Sequence, residues 1–146
     1  MPLTLIIQES FERSILLYRD LVDSLGEESL DSKLPSLPSN TMGSQLWCVV
    51  GARESYTNAI RANEWSGFSC SLNSTTKKEL VADALRSSAD GLSEALQKTE
   101  NFTDVQNRLM IDLLEHETAH HGQLIRYLYG LGIAIPDSWK TKYALE

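Results

Sequence analysis

Apolar side chains recur along this chain at spacings of three, four or seven residues in four separate segments, as expected for one face of an α-helix. The first segment covers about residues 3–25, and the second about residues 41–63. The third begins at Thr76, and the fourth runs from Thr103 to about Leu131. Because none of these helices can bury its apolar face alone, the pattern predicts an all-α protein built as a four-helix bundle.

Local signals predict where two of these helices begin. Thr76 and Glu79 have the spacing of a capping box, in which each side chain satisfies the backbone N–H of the other residue. Thr103 and Gln106 repeat that spacing at the start of the fourth helix.

Glycine and proline mark the segments between the helices. The segments 26–40 and 64–74 are expected to be loops, and Gly132 is expected to end the fourth helix. Residues 133–135 are too few for a convincing strand, so the sequence predicts no β-structure.

Composition is that of an ordinary globular protein. Of the 146 residues, 42% are hydrophobic and 23% are charged, which favours a single domain over residues 1–146. The formal net charge of −7 argues against nucleic-acid or anionic-membrane partners, because both require clustered Lys and Arg. No apolar run is long enough for a transmembrane helix, and no signal peptide is evident, so we expect a cytoplasmic protein.

The three histidines all lie between positions 116 and 121. On a helical wheel, His116 and His120 are about 40° apart in the middle of the apolar face of the fourth helix. Histidines at i and i+4 can direct their ring nitrogens at one divalent metal ion, although a hydrogen-bonded pair in the core has the same spacing. His121 lies about 140° away, so we interpret it as a residue that does not bind the metal or that only supports a ligand through a hydrogen bond.

Two polar residues near these histidines are candidates for orienting them. Asp112 lies one turn before His116, and Gln123 follows the cluster on the same helix. Either could hydrogen-bond to an imidazole that binds a metal ion. Glu117 is expected at the edge of the apolar face.

The run from His116 to Pro136, HETAHHGQLIRYLYGLGIAIP, resembles the C-terminal helix of the DinB/YfiT-like superfamily. The signature of that superfamily is H-x-x-x-H-R-G-Q, followed by a Tyr/Leu-rich turn, a Leu-Gly pair and a proline. Gly122 and Gln123 match it, whereas His121 replaces the usual arginine. The resemblance implies a bundle with up-down-down-up topology that commonly forms a homodimer. It also implies a divalent metal ion, often zinc or nickel, held by three histidines, of which two correspond to His116 and His120.

The third histidine of the family normally lies on the second helix, where this chain has none. Aligning Leu46 and Trp47 with the family pattern puts Cys48 at the ligand position, and a thiolate is a good zinc ligand. Aligning the glutamate of the family with Glu54 puts Val49 there instead, and valine binds no metal. The helical wheel favours the second alignment, because Val49 lies in the middle of the apolar stripe.

Arg53 lies one turn after Val49, near the side of the second helix that faces the interior. Such a guanidinium could bind a substrate carboxylate through two hydrogen bonds, reach the surface, or pair with a neighbouring acid.

The sequence is compatible with two functions. The first is a metal-dependent enzyme of the thiol S-transferase or hydrolase type, acting on a small molecule with a low-molecular-weight thiol as one candidate substrate. The metal would lower the pKa of a bound thiol or water. The second is a metal-free bundle that binds a small molecule or forms a dimeric interaction module without catalysis, which the missing third histidine favours.

Overall fold

The chain, as a computed structural model that describes residues 1–146, contains five α-helices, one 3-10 helix and no β-strand. Four of the α-helices are long, and the fifth has only seven residues. Their bounds are α1 Leu3–Ser24, α2 Met42–Ala62, α3 Lys78–Lys98, α4 Asp104–Leu131 and α5 Asp137–Tyr143. The prediction of an all-α protein is therefore confirmed.

The four long helices pack side by side as a bundle. Each of α1 and α2 packs against both α3 and α4, while α5 packs against α1. None of the helices is both long enough and apolar enough to cross a membrane.

The core consists of two clusters of buried side chains. The larger cluster combines the later part of α1 with the early parts of α2 and α3 and the later part of α4. The smaller cluster combines the early parts of α1 and α4 with the later parts of α2 and α3. Each fully buried Leu, Ile or Phe stabilises the fold by about 1.5–3 kcal/mol, so these clusters supply most of the driving force for folding.

The predicted start of α4 is confirmed, whereas that of α3 is wrong. Both hydrogen bonds of the capping box between Thr103 and Gln106 are present. The helix α3 begins at Lys78, two residues after Thr76, and its N-cap residue, Lys77, makes no capping hydrogen bond with its side chain. Instead, the carboxylate of Glu27 accepts a hydrogen bond of 3.1 Å from the backbone N–H of Lys78. A contact from a distant segment has thus replaced the local cap.

Two short elements were not predicted. A 3-10 helix, Glu27–Asp31, lies within the segment expected to be a loop, and α5 follows Pro136. The Trp139 side chain on α5 is completely buried, and its indole N–H donates a 2.7 Å hydrogen bond to the carbonyl oxygen of Leu17. Elements of five and seven residues are too short for a helical period to be recognised in the sequence.

Candidate metal centre

Cys48 on α2 and the pair His116 and His120 on α4 converge where these two helices pack together. One ligand atom from each residue can be chosen so that all three lie within 4.8 Å of one another. Cys48 Sγ is 3.7 Å from His116 Nε2, and the two imidazole ring centroids are 4.5 Å apart. His120 is buried, whereas Cys48 and His116 are half-buried. These three residues could hold a metal ion.

The imidazole of His120 is held in place by a chain of hydrogen bonds. Its Nδ1 contacts Gln45 Oε1, and the amide nitrogen of Gln45 donates 2.8 Å to Asn40 Oδ1. The hydroxyl of Tyr127 also donates to Asn40 Oδ1, at 2.9 Å. Because an amide oxygen only accepts, the proton of His120 lies on Nδ1. The lone pair on Nε2 is therefore free to bind a metal ion, as in many metal sites where a second residue orients the ligand.

His116 is held much less firmly. Its Nδ1 is buried without a hydrogen-bond partner, and its Nε2 has only the long contact to the Cys48 thiol. A histidine buried for hydrogen bonding would satisfy its ring nitrogens, because an unpaired buried polar atom costs about 1–3 kcal/mol. No protein hydrogen bond therefore fixes the orientation of the His116 ring, whose Nε2 faces the Cys48 thiol.

Burial favours the neutral form of all three side chains. Desolvation lowers the pKa of His116, and desolvation together with the nearby His116 lowers the pKa of His120 to about 4. Desolvation raises the pKa of the Cys48 thiol. At pH 7 the two imidazoles are therefore in the unprotonated form that binds metals, whereas the thiol still carries the proton that it must lose.

The structure brings Cys48, and not Val49, to the histidines. Val49 is completely buried in the larger core cluster. The helical wheel favoured Val49 because that residue lies at the centre of the apolar stripe. The histidines instead meet α2 at the edge of this stripe, where Cys48 lies half-buried.

The two residues expected to orient the histidines are not brought to them. Asp112 and Gln123 are both exposed on α4, and neither hydrogen-bonds to an imidazole. Gln45 makes the hydrogen bond to His120 that Asp112 or Gln123 was expected to make, and the sequence analysis did not identify it. Gln45 lies three residues before Cys48 and therefore on the same face of α2, and this spacing could have indicated its role.

Arg53 and Glu117 form a second buried polar group. The guanidinium of Arg53 donates through Nε to Glu117 and through Nη1, at 3.1 Å, to the carbonyl oxygen of Leu85. Glu117 is completely buried, so its expected place at the edge of the apolar face is wrong. Of the alternatives for Arg53, pairing with a neighbouring acid is the one observed.

His121 belongs to this second group and not to the metal cluster. The hydroxyl of Ser14 donates to the carboxylate of Glu117 and lies 3.0 Å from His121 Nε2. On the other side of the ring, His121 Nδ1 lies 2.6 Å from the hydroxyl of Tyr143 on α5. Burial lowers the pKa of His121 to about 4, with the nearby Glu117 opposing that shift.

Comparison with known proteins finds no matching family model and no matching curated protein.

Proposed function

We propose that this chain is a DinB-like metal-dependent enzyme in which Cys48, His116 and His120 hold a divalent zinc or nickel ion. The observation that carries the proposal is the convergence of one thiol and two imidazoles from α2 and α4. The reaction is of the thiol S-transferase or hydrolase type, with a low-molecular-weight thiol or water as the nucleophile. The resemblance of residues 116–136 to the DinB/YfiT-like signature supports this assignment.

The distribution of the core residues supports the up-down-down-up topology of that superfamily. The early part of α1 shares a cluster with the later parts of α2 and α3, and with the early part of α4. The later part of α1 shares the other cluster with the opposite halves of the same helices. This grouping of helix halves in the two clusters is expected if α1 and α4 run in one direction and α2 and α3 run in the other.

The donor set fits a catalytic site better than a structural one. Structural zinc sites are closed by four protein ligands, whereas catalytic sites have three and keep one position open. Here three side chains meet, and the thiolate and two imidazoles suit zinc or nickel. A divalent ion held by them supplies positive charge that lowers the pKa of a thiol or water at the open position.

The protein residues have separate tasks in this proposal. Gln45 keeps the proton of His120 on Nδ1, which leaves the lone pair of Nε2 available to a metal ion. Cys48 would hold the ion as a thiolate, so its thiol proton would be released on binding. The substrate approaches from the side of Cys48 and His116, because these two side chains are half-exposed while His120 is buried.

Metal analysis tests the proposal directly. The protein, purified under reducing conditions and incubated with zinc or nickel, is expected to retain about one equivalent after gel filtration. Cys48→Ser and His120→Ala should each lose it. Cys70→Ser is the matched control, because Cys70 is also a half-buried free cysteine but lies outside the cluster. The loaded protein should also consume a low-molecular-weight thiol in the presence of an electrophilic aryl halide or hydrolyse an activated amide.

If the chain is instead a metal-free binding module, the protein should retain no metal. Less than about a tenth of an equivalent of bound metal, with no rise on addition of zinc or nickel, would rule out the enzyme proposed here.

A further inference from the structure

A cavity of about 260 Å³ lies between α1 and α3, and none of the three metal-cluster residues lines it. Exposed charged side chains ring its mouth, with arginine and aspartate on each of the two helices. Its walls are aliphatic and are formed by Ile15, Val22, Ala82, Leu85 and Ala89. The cavity is thus an apolar recess with a charged rim.

Arg53 from α2 also lines this cavity, and it is the only charged side chain in the lining that is completely buried. Two of its three nitrogens have partners, since Nε donates to Glu117 and Nη1 to the carbonyl oxygen of Leu85. Nη2 is buried and has no hydrogen-bond partner. Because an unsatisfied buried donor costs free energy, this nitrogen calls for an acceptor that the protein does not provide.

We propose that the cavity binds a small organic carboxylate, with one carboxylate oxygen on Arg53 Nη2 and the hydrocarbon part against the aliphatic walls. A hydrogen bond between a guanidinium and a carboxylate is stronger than one between neutral groups, so an anion is favoured over a neutral acceptor.

The size of the cavity restricts the ligand further. The charges around it are already matched, since Glu117 balances Arg53 and the two rim arginines, Arg19 and Arg86, lie beside rim aspartates and form surface ion pairs. The charge-assisted hydrogen bond from Arg53 Nη2, and not a net positive charge of the rim, therefore selects the carboxylate. A volume of about 260 Å³ equals that of about nine molecules of liquid water. The ligand is therefore a monocarboxylate of about nine non-hydrogen atoms, such as hexanoate or benzoate.

Titration calorimetry on the metal-free protein tests the chemical class of the ligand. Removing the metal prevents a carboxylate from binding at the cluster of Cys48, His116 and His120. This inference is therefore independent of the proposed enzyme activity. Hexanoate and benzoate are expected to bind at least about tenfold more tightly than hexanamide, while hexylamine should not bind.

A pair of substitutions on α3 tests the location. Ala82→Leu places a larger side chain in the cavity and is expected to reduce hexanoate affinity at least about tenfold. Ala84→Leu is the matched control, because Ala84 is equally half-buried on the same helix but does not line the cavity. It should bind hexanoate as the parent protein does.

Three results would overturn the proposal. They are no binding of hexanoate or benzoate up to about 10 mM, equal affinity for hexanoate and hexanamide, and unchanged affinity in a folded Ala82→Leu protein. The comparison of ligands uses only the parent protein, so it tests the proposal even if Ala82→Leu does not fold.

Discussion

The guanidinium of Arg53 and the carboxylate of Glu117 form an ion pair in the interior of the bundle, with side chains that are 1% and 0% exposed. Glu117 also accepts a hydrogen bond from Ser14, and Arg53 donates another to the carbonyl oxygen of Leu85. Glu117 lies on α4, Arg53 on α2, Ser14 on α1 and Leu85 on α3. A single polar group therefore connects all four long helices.

Breaking this ion pair on one side should destabilise the fold strongly. Glu117→Gln leaves the buried guanidinium without a counter-charge, so we expect the free energy of unfolding to fall by about 3–5 kcal/mol. The double variant Arg53→Met, Glu117→Leu removes both charges and should lose less than the single variant. Urea unfolding monitored by circular dichroism measures both.

Glu94→Gln is the control for that experiment. Glu94 accepts a 2.6 Å hydrogen bond from Lys98 in an exposed ion pair. Water already solvates both of these side chains, so the unfolding curve should not change. A Glu117→Gln protein as stable as the Glu94→Gln protein would contradict the importance of the buried pair.

The sequence could predict the four long helices because each carries an apolar face over five or more turns. It could not locate the start of α3 or predict α5, because distant contacts determine both. Glu27 caps α3 from another segment, and α5 is held by the burial of Trp139 against α1. Sequence periodicity contains no information on such long-range contacts.

Replacing Gln45 should weaken metal binding without removing a ligand. Gln45→Ala leaves His120 free to rotate and to change tautomer, so zinc affinity should fall by about 10–100-fold. Competition with a chromophoric chelator measures this affinity. Gln123→Ala is the matched control, because Gln123 is exposed and makes no hydrogen bond to the histidines. Equal affinities for the two variants would show that Gln45 does not orient His120.

Zinc binding near neutral pH should release about one proton from the protein. The pKa of the Cys48 thiol is raised, so the thiol is protonated before the metal binds. The pKa values of His116 and His120 are lowered, so these rings have no proton to release. Calorimetry in buffers with different ionisation enthalpies counts the protons. Release of two or more protons would mean that a histidine is protonated in the metal-free protein.

The stability of the metal-free protein should fall as the pH drops from about 6.5 to about 4. Desolvation lowers the pKa of the buried His121 to about 4, whereas an unfolded histidine titrates near 6.5. Between these values the unfolded chain binds a proton that the folded chain does not, so acid favours unfolding. Each such histidine contributes at most about 1.4 kcal/mol per pH unit.

His121→Gln tests that assignment, because glutamine can hydrogen-bond but does not titrate in this range. Urea unfolding at several pH values should give a shallower pH dependence for His121→Gln than for the parent protein. An identical slope for the two proteins would mean that His121 does not contribute to the acid sensitivity.

The sequence could identify His116 and His120 as a pair because their spacing is local to one helix. It could not decide between Cys48 and Val49, because that choice depends on how α2 is rotated against α4. For the same reason Gln45 and Glu117 were missed as partners of His120 and Arg53. Side chains that meet across two helices depend on packing, which a single helical wheel does not describe.

The most direct test of the proposed metal site is a cobalt(II) titration followed by absorption spectroscopy. The account predicts saturation at about one equivalent, with a thiolate-to-cobalt charge-transfer band in the near ultraviolet that is absent in Cys48→Ser and retained in Cys70→Ser. The absence of any cobalt spectrum in the parent protein, or a charge-transfer band that persists in Cys48→Ser, would contradict it.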